Sequence, residues 1–194
     1  MTRTMYDSTV LADIPLTCQI AAVYGTGKYK ADPAAVERRF PAARYAHAWI
    51  DVDGSDPGGC SVLDVEPYDA PPKDAPGWIR KRHQLVKNAL PTVYCNRSTI
   101  DPVASACAAA GLKLGRDWWL WVATLDGTLY QGAGVVACQD RGANQTHANY
   151  DASIVYEDWW HSVPAPPKPP PPKVSKAEAD AAYALVGRYL VQQP

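Results

Sequence analysis

The chain has 194 residues, enough for one sizeable hydrophobic core but short for two full domains. Charged residues make up 20% of the chain and its formal net charge is -1, so we expect no nucleic-acid partner and no anionic-membrane surface. Five scattered cysteines without a C-x-x-C pair argue against a zinc site and a disulfide scaffold. We also expect no signal peptide and no membrane span, because no stretch approaches about 18 apolar residues.

Eight short apolar segments are predicted to be strands. They are almost continuously apolar rather than alternating, which is typical of strands that are buried on both faces. In chain order they are residues 5–9, 19–25, 43–54, 60–67, 91–96, 118–127, 134–140 and 149–156.

Three helices are predicted between these strands. The first follows the pair Asp32 and Pro33, an N-cap residue and a proline at the first helical position; the others span 74–90 and 98–112. Early alternation of strand and helix, followed by three strands with little helix between them, predicts an α/β fold, an irregular TIM-type barrel with shortened or missing helices. A doubly wound open sheet is the alternative, but no glycine-rich phosphate loop follows any strand.

A proline-rich segment ends the predicted barrel domain, which spans residues 1–162. Within the linker at 163–173, seven of the nine residues from Pro164 to Pro172 are proline, so an extended spacer is expected. Residues 174–194 follow as an amphipathic helix, with Ser175 and Glu178 at the capping-box spacing. A single helix of this length is marginal in water, so it either mediates oligomerisation or anchoring, or is a frayed tail.

Two carboxylates end the fourth apolar segment, "SVLDVEP". In a strand Asp64 and Glu66 share a face, and two crowded carboxylates raise one another's pKa, so one can stay protonated as a general acid. Glycoside hydrolysis requires such a pair. The alternative is a pair that only caps a loop or binds solvent.

Other strand ends add to this pair. Asp7 ends the first strand, Gln139 ends the seventh, and Asp151 lies in the eighth, so barrel closure would bring Asp7 and Asp151 together. Each alone is better explained as a capping or turn residue. Together with Asp64 and Glu66, the aspartates place four carboxylates on one rim, where barrel enzymes carry their sites.

These features resemble glycoside hydrolase family 25, the lysozymes or N-acetylmuramidases, many of them encoded by bacteriophages. The residues that carry the resemblance are Asp7, the D-x-E strand, the "VY" of Tyr94, "WLWVA" at 119–123, Gln139, and the final strand with its aspartate. The resemblance implies a (β/α)5β3-like barrel, with Glu66 as general acid/base and Asp64 as nucleophile or substrate-orienting carboxylate. It further implies that Asp7 and Asp151 tune the pair and grip the sugar.

The chain departs from the family pattern at three places. Tyr6 replaces the glycine that usually precedes the first aspartate, and about a dozen residues separate Asp7 from the second strand, too few for the usual helix. The stretch from 49 to 60 is also too short for one. As substrate-binding residues we predict Tyr94, Trp121, Gln139, Tyr6 and Asp51.

The predicted function is that of a glycosidase which cleaves the glycan strands of bacterial peptidoglycan, of the muramidase or endolysin type. The enzyme would be made in the cytoplasm and act at the cell wall, as a phage lysin or a virion component. We expect no cofactor and no metal. In particular, we expect no metal site in the loop at 51–59, because this loop lacks the glutamate that completes a calcium loop. The main alternative is an inactive barrel that serves as a carbohydrate-binding or phage structural module; a metal-dependent phosphodiesterase ranks last.

Overall fold

A closed eight-stranded barrel forms the centre of the protein. The structure, a computed structural model, describes residues 3–42, 44–142 and 148–156. The strands follow one another around the barrel in chain order, with β8 closing against β1. Successive strands from β1 to β7 pair in parallel, whereas β8 is antiparallel to both β7 and β1. The strands are β1 (Arg3–Asp7), β2 (Ile20–Tyr24), β3 (Ala46–Asp51), β4 (Val62–Val65), β5 (Thr92–Asn96), β6 (Trp119–Ala123), β7 (Val135–Arg141) and β8 (Asp151–Val155).

The described part of the chain contains three α-helices, α1 (Pro33–Arg39), α2 (Ala75–Leu85) and α3 (Ile100–Ala109). They follow β2, β4 and β5, and two short 3-10 turns lie at Leu11–Asp13 and Pro72–Asp74. Asp32 caps α1 as predicted, because its side chain accepts a hydrogen bond of 3.0 Å from the backbone N–H of Ala34. None of the helices among the described residues is long and apolar enough to cross a membrane.

Two layers of apolar side chains explain why the strands read as continuous apolar runs. Alternate residues such as Ile20 and Ala22 point into the barrel, where they pack with Met5. The residues between them, such as Val23, belong to a separate outer cluster, which also contains side chains from all three helices, Val36 among them. Burial of both strand faces removes the polar-apolar alternation of a half-exposed sheet. The eight predicted strands and the three predicted helices are all found among the described residues and are confirmed.

The connections that were too short for helices contain none. Residues 8–19 include only the 3-10 turn between β1 and β2, and residues 52–61 cross from β3 to β4 without a helix. The structure is thus a mixed barrel with few helices. The proline-rich linker at 163–173 and the helix at 174–194 lie outside the described residues.

Candidate functional site

The four carboxylates that were predicted from strand ends lie on one rim of the barrel. Asp7 ends β1, Asp64 lies in β4, and Glu66 follows β4 directly. Asp151 begins β8, and since β8 runs antiparallel to β1, its first residue pairs in register with Asp7. The negative charges of Asp151 and Glu66 raise the pKa of Asp7, and those of Glu66 and Asp7 raise the pKa of Asp64. The structure therefore brings all four together.

Asp7 and Asp64 are the buried members of this group. Each is only 5% exposed, and one carboxylate oxygen of each, Oδ1, has no hydrogen-bond partner among the described residues. Burial raises the pKa of Asp7 to about 8, and repulsion from Asp151 and Glu66 adds to this effect. Burial also raises the pKa of Asp64 well above its ordinary value, with further repulsion from Glu66. Both side chains therefore favour the protonated form.

Glu66 is more accessible than these two aspartates. Its side chain is half-buried, and Asn96 at the end of β5 donates a hydrogen bond of 3.2 Å from Nδ2 to Oε1. Burial raises the pKa of Glu66, the bond from Asn96 opposes the rise, and the charges of Asp69 and Asp151 add to it. A carboxyl group that combines solvent access with a raised pKa has the properties of a general acid.

Tyr24 joins the group, although the sequence analysis did not select it. Burial raises its pKa well above the ordinary value, and the charges of all four carboxylates raise it further. Its hydroxyl therefore stays protonated and can donate a hydrogen bond toward the acidic rim. The signal in the sequence was the alternation Ile20, Ala22, Tyr24, which turns Tyr24 inward at the end of β2.

Three predicted substrate-binding residues support the site from within the barrel. Gln139 is 2% exposed and donates from Nε2 to Asp151 Oδ2 at 2.9 Å. Trp121 is 1% exposed; its Nε1 donates to Ser153 Oγ at 3.0 Å, and its ring meets that of Tyr94 edge-on, with centroids 4.8 Å apart. Gln139 and Trp121 thus contact and position neighbouring side chains, and their role in binding substrate stays a prediction. Tyr94 is also buried and lies close to Glu66 and Asp7.

Tyr6 and Asp51 point away from the carboxylates. Tyr6 precedes Asp7 in β1 and so faces the outer side of the barrel, where it packs with Tyr150 at a centroid distance of 4.8 Å. Asp51 is completely buried; its Oδ2 accepts 2.8 Å bonds from Trp78 Nε1 and from the N–H of Asp56. Asp51 therefore fixes the connection after β3 and joins it to α2. The contacts observed for these two residues are structural, and their role in binding substrate stays a prediction.

Asp69 adds a fifth acid beside the predicted pair. One carboxylate oxygen from each of Asp64, Glu66 and Asp69 lies within 4.8 Å of the others, and among the described residues no Lys or Arg forms an ion pair with them. Calcium binds oxygen at about 2.3–2.6 Å, so opposite ligands of one ion lie about 4.6–5.2 Å apart. These three side chains could therefore hold a divalent cation, a possibility that the sequence analysis did not raise.

The fold and the rim together define an α/β barrel protein with an acidic site at the carboxyl ends of its parallel strands. No family model matches the chain, and no curated protein matches it either. A solved structure described as "1.07 A crystal structure of an uncharacterized B. stearothermophilus protein" is similar in fold, with a TM-score of 0.55. The two chains are 11% identical, and the match covers 82% of this chain and 99% of that one. At this identity the likeness extends to the fold alone.

Proposed function

We propose that the protein is a glycoside hydrolase of the family 25 type that cleaves the glycan strands of peptidoglycan, with Glu66 as general acid/base. The observation that carries this proposal is the pairing of Asp64 and Glu66. Their carboxylate oxygens lie within 4.8 Å of each other, on a rim where Asp7 and Asp151 add further negative charge. Burial of the carboxylates, together with this crowding, raises their pKa values and so favours retention of a proton, as protonation of a glycosidic oxygen requires.

The closeness of the pair, with one carboxylate oxygen of each residue within 4.8 Å of the other, argues against an inverting mechanism. Inverting enzymes keep their two carboxyl groups about 6.5–9.5 Å apart to admit a water molecule, whereas retaining enzymes hold them at about 5–5.5 Å. With Asp64 orienting the substrate's N-acetyl group, the N-acetyl oxygen would bond to the anomeric carbon as the glycosidic bond breaks, and Glu66 would give its proton to the leaving oxygen. Glu66 would then take a proton from a water molecule, whose oxygen bonds to the anomeric carbon and releases the N-acetyl oxygen, which restores the acid. The near-complete burial of Asp64 favours the orienting role over that of the nucleophile.

The positions of the helices also support this proposal, because they fit a TIM-type barrel of the (β/α)5β3 kind. Helices follow β2, β4 and β5, and the described residues after β6, β7 and β8 contain no helix. Loss of the helices after β1 and β3 would then account for a barrel domain of only about 160 residues, below the roughly 200 of a full eight-fold barrel. In this proposal the partner is peptidoglycan, reached at the cell wall by a phage lysin or a virion component.

The test compares wild type with Glu66→Gln, a change that keeps the shape of the side chain but removes the titratable proton. The readouts are the clearing of turbid cell-wall suspensions and the release of reducing ends from purified peptidoglycan. Glu37→Gln, at an exposed glutamate in α1, is the matched control. We expect activity to be lost in the first variant and kept in the second.

Two results would reject parts of this proposal. Full activity in Glu66→Gln would remove Glu66 from the acid/base role. A wild-type chain that releases no reducing ends from any wall, yet sediments with peptidoglycan, would instead identify a carbohydrate-binding module.

A further inference from the structure

The chain makes a tight turn directly after the proposed acid/base. Residues 66–69 form this turn, in which the N–H of Asp69 donates to the carbonyl oxygen of Glu66 at 3.1 Å. Pro67 is the second residue, and Tyr68, the third, has a φ of 81°. A proline followed by a residue with positive φ is the pattern of a type II β-turn.

Tyrosine is an unfavourable residue at the third position of such a turn. Glycine or asparagine is the usual choice there, because a larger L side chain at positive φ is strained against its own backbone. Packing does not offset the strain: the side chain of Tyr68 is fully exposed, and its ring contacts no aromatic ring among the described residues. A strained backbone conformation without compensating contacts points to a functional constraint.

The position of the ring indicates what that constraint is. Tyr68 lies between Glu66 and Asp69, two members of the acidic group, and the proline ring and the turn hydrogen bond fix the backbone on either side of it. A tyrosine ring offers a flat apolar face with a polar tip that stays in water. The C–H face of a pyranose is complementary to such a surface, because its hydroxyl groups project sideways and remain solvated.

We propose that Tyr68 is a stacking platform for a sugar ring of the glycan, next to the unit whose bond Glu66 would cleave. This inference rests on the proposed function, since it takes the ligand to be a glycan strand. The turn presents the ring, and the strain at Tyr68 is retained because glycine would leave no surface for the sugar. Tyr68 is thus a substrate-binding residue that acts without touching the reacting atoms.

The experiment measures binding separately from cleavage. The full chain with Glu66→Gln is titrated calorimetrically with soluble glycan fragments from peptidoglycan, alone and combined with Tyr68→Gly or Tyr68→Phe. We expect Tyr68→Gly to weaken binding about tenfold, as loss of an aromatic contact would, and Tyr68→Phe to bind within about twofold of its parent. We also expect Tyr68→Gly to have a Tm equal to or above that of its parent, because glycine relieves the positive φ.

Asn88→Gly is the matched control. Asn88 is also exposed and has a positive φ of 56°, but it precedes β5 and therefore lies at the opposite end of the barrel. This variant should leave glycan binding unchanged.

Three binding results would overturn the inference: unchanged affinity in Tyr68→Gly, a loss in Tyr68→Phe as large as in Tyr68→Gly, or no binding of the fragments by the Glu66→Gln chain. A fall in Tm for Tyr68→Gly would also overturn it, because the ring would then serve the fold. The proposed function fails separately, if wild type releases no reducing ends or if Glu66→Gln remains active.

Discussion

Replacement of Asp7 by asparagine should stabilise the protein at neutral pH, although Asp7 lies in the candidate site. Burial raises the pKa of Asp7 from its ordinary value of 3.8 to about 8, so at pH 7 the folded chain holds a proton on this side chain that the unfolded chain has lost. Folding must then take up that proton, which becomes more costly as the pH rises. Asparagine has nearly the same shape and takes up no proton.

The size of the effect follows from the two pKa values. Each pH unit between 3.8 and 7 lowers the free energy of unfolding of wild type by about 1.4 kcal/mol. At pH 7, Asp7→Asn should therefore raise the free energy of unfolding by at most about 4 kcal/mol. Below pH 4 Asp7 is protonated in both states and its contribution disappears. Wild-type stability should therefore fall between pH 4 and 8 relative to Asp7→Asn. Since 1 kcal/mol shifts the Tm of a chain of this size by about 2–4 °C, the Tm difference at pH 7 should reach about 10 °C.

Thermal unfolding of the full chain at pH 4, 5.5, 7 and 8 measures this difference. Asp74→Asn is the control: Asp74 is exposed and its side chain makes no capping hydrogen bond to α2, so this variant should change the Tm at pH 7 far less than Asp7→Asn does. A destabilised Asp7→Asn chain at pH 7, or a Tm difference that is the same at all four pH values, would refute the reasoning.

The remaining predictions concern the surroundings of the pair. Asn96→Ala removes the hydrogen bond that lowers the pKa of Glu66, so the alkaline limb of the pH profile of the proposed glycan cleavage should move to higher pH. Asp51→Ala leaves several buried donors unpaired and should lower the free energy of unfolding by about 3 kcal/mol or more in urea titrations, whereas the exposed Asp53→Ala should lower it by less than about 1 kcal/mol. Calcium at millimolar concentration should inhibit the proposed glycan cleavage by wild type, because it would occupy the carboxylates around Asp69, whereas EDTA should leave the proposed cleavage intact. A loss of that activity with EDTA would indicate metal-dependent cleavage instead.

The sequence was informative where a residue's role depends on strand periodicity. Asp64 and Glu66 share a face because they are two residues apart, and Asp7 meets Asp151 because the barrel closes β8 against β1. The same rule turns Tyr24 inward and Tyr6 outward. Both could have been placed by continuing the alternation to the end of each strand.

The sequence was uninformative where a role depends on contacts between distant segments. Asp51 is a structural residue because Trp78, 27 residues later, donates a hydrogen bond to it from α2. Trp121 is buried because Tyr94 and Ser153 meet it inside the barrel. No local pattern distinguishes such a tryptophan from one that faces a cleft, because strand alternation gives the direction of a side chain but not its depth.

The depth of these side chains connects the fold to the proposed chemistry. Trp121 and Tyr94 pack inside the barrel among apolar side chains, and Tyr94 feels the charges of Asp7, Asp64 and Glu66 above it. Water is excluded from that side of the carboxylates, so ionisation is disfavoured and protons are retained near neutral pH. The burial that makes Asp7 destabilising at pH 7 is therefore the same feature that would hold a proton available beside Glu66. A change that removes the buried ionisable group at Asp7 should raise the free energy of unfolding at pH 7 and also impair the proposed proton donation beside Glu66. Such a trade-off is expected where stability is given up for activity.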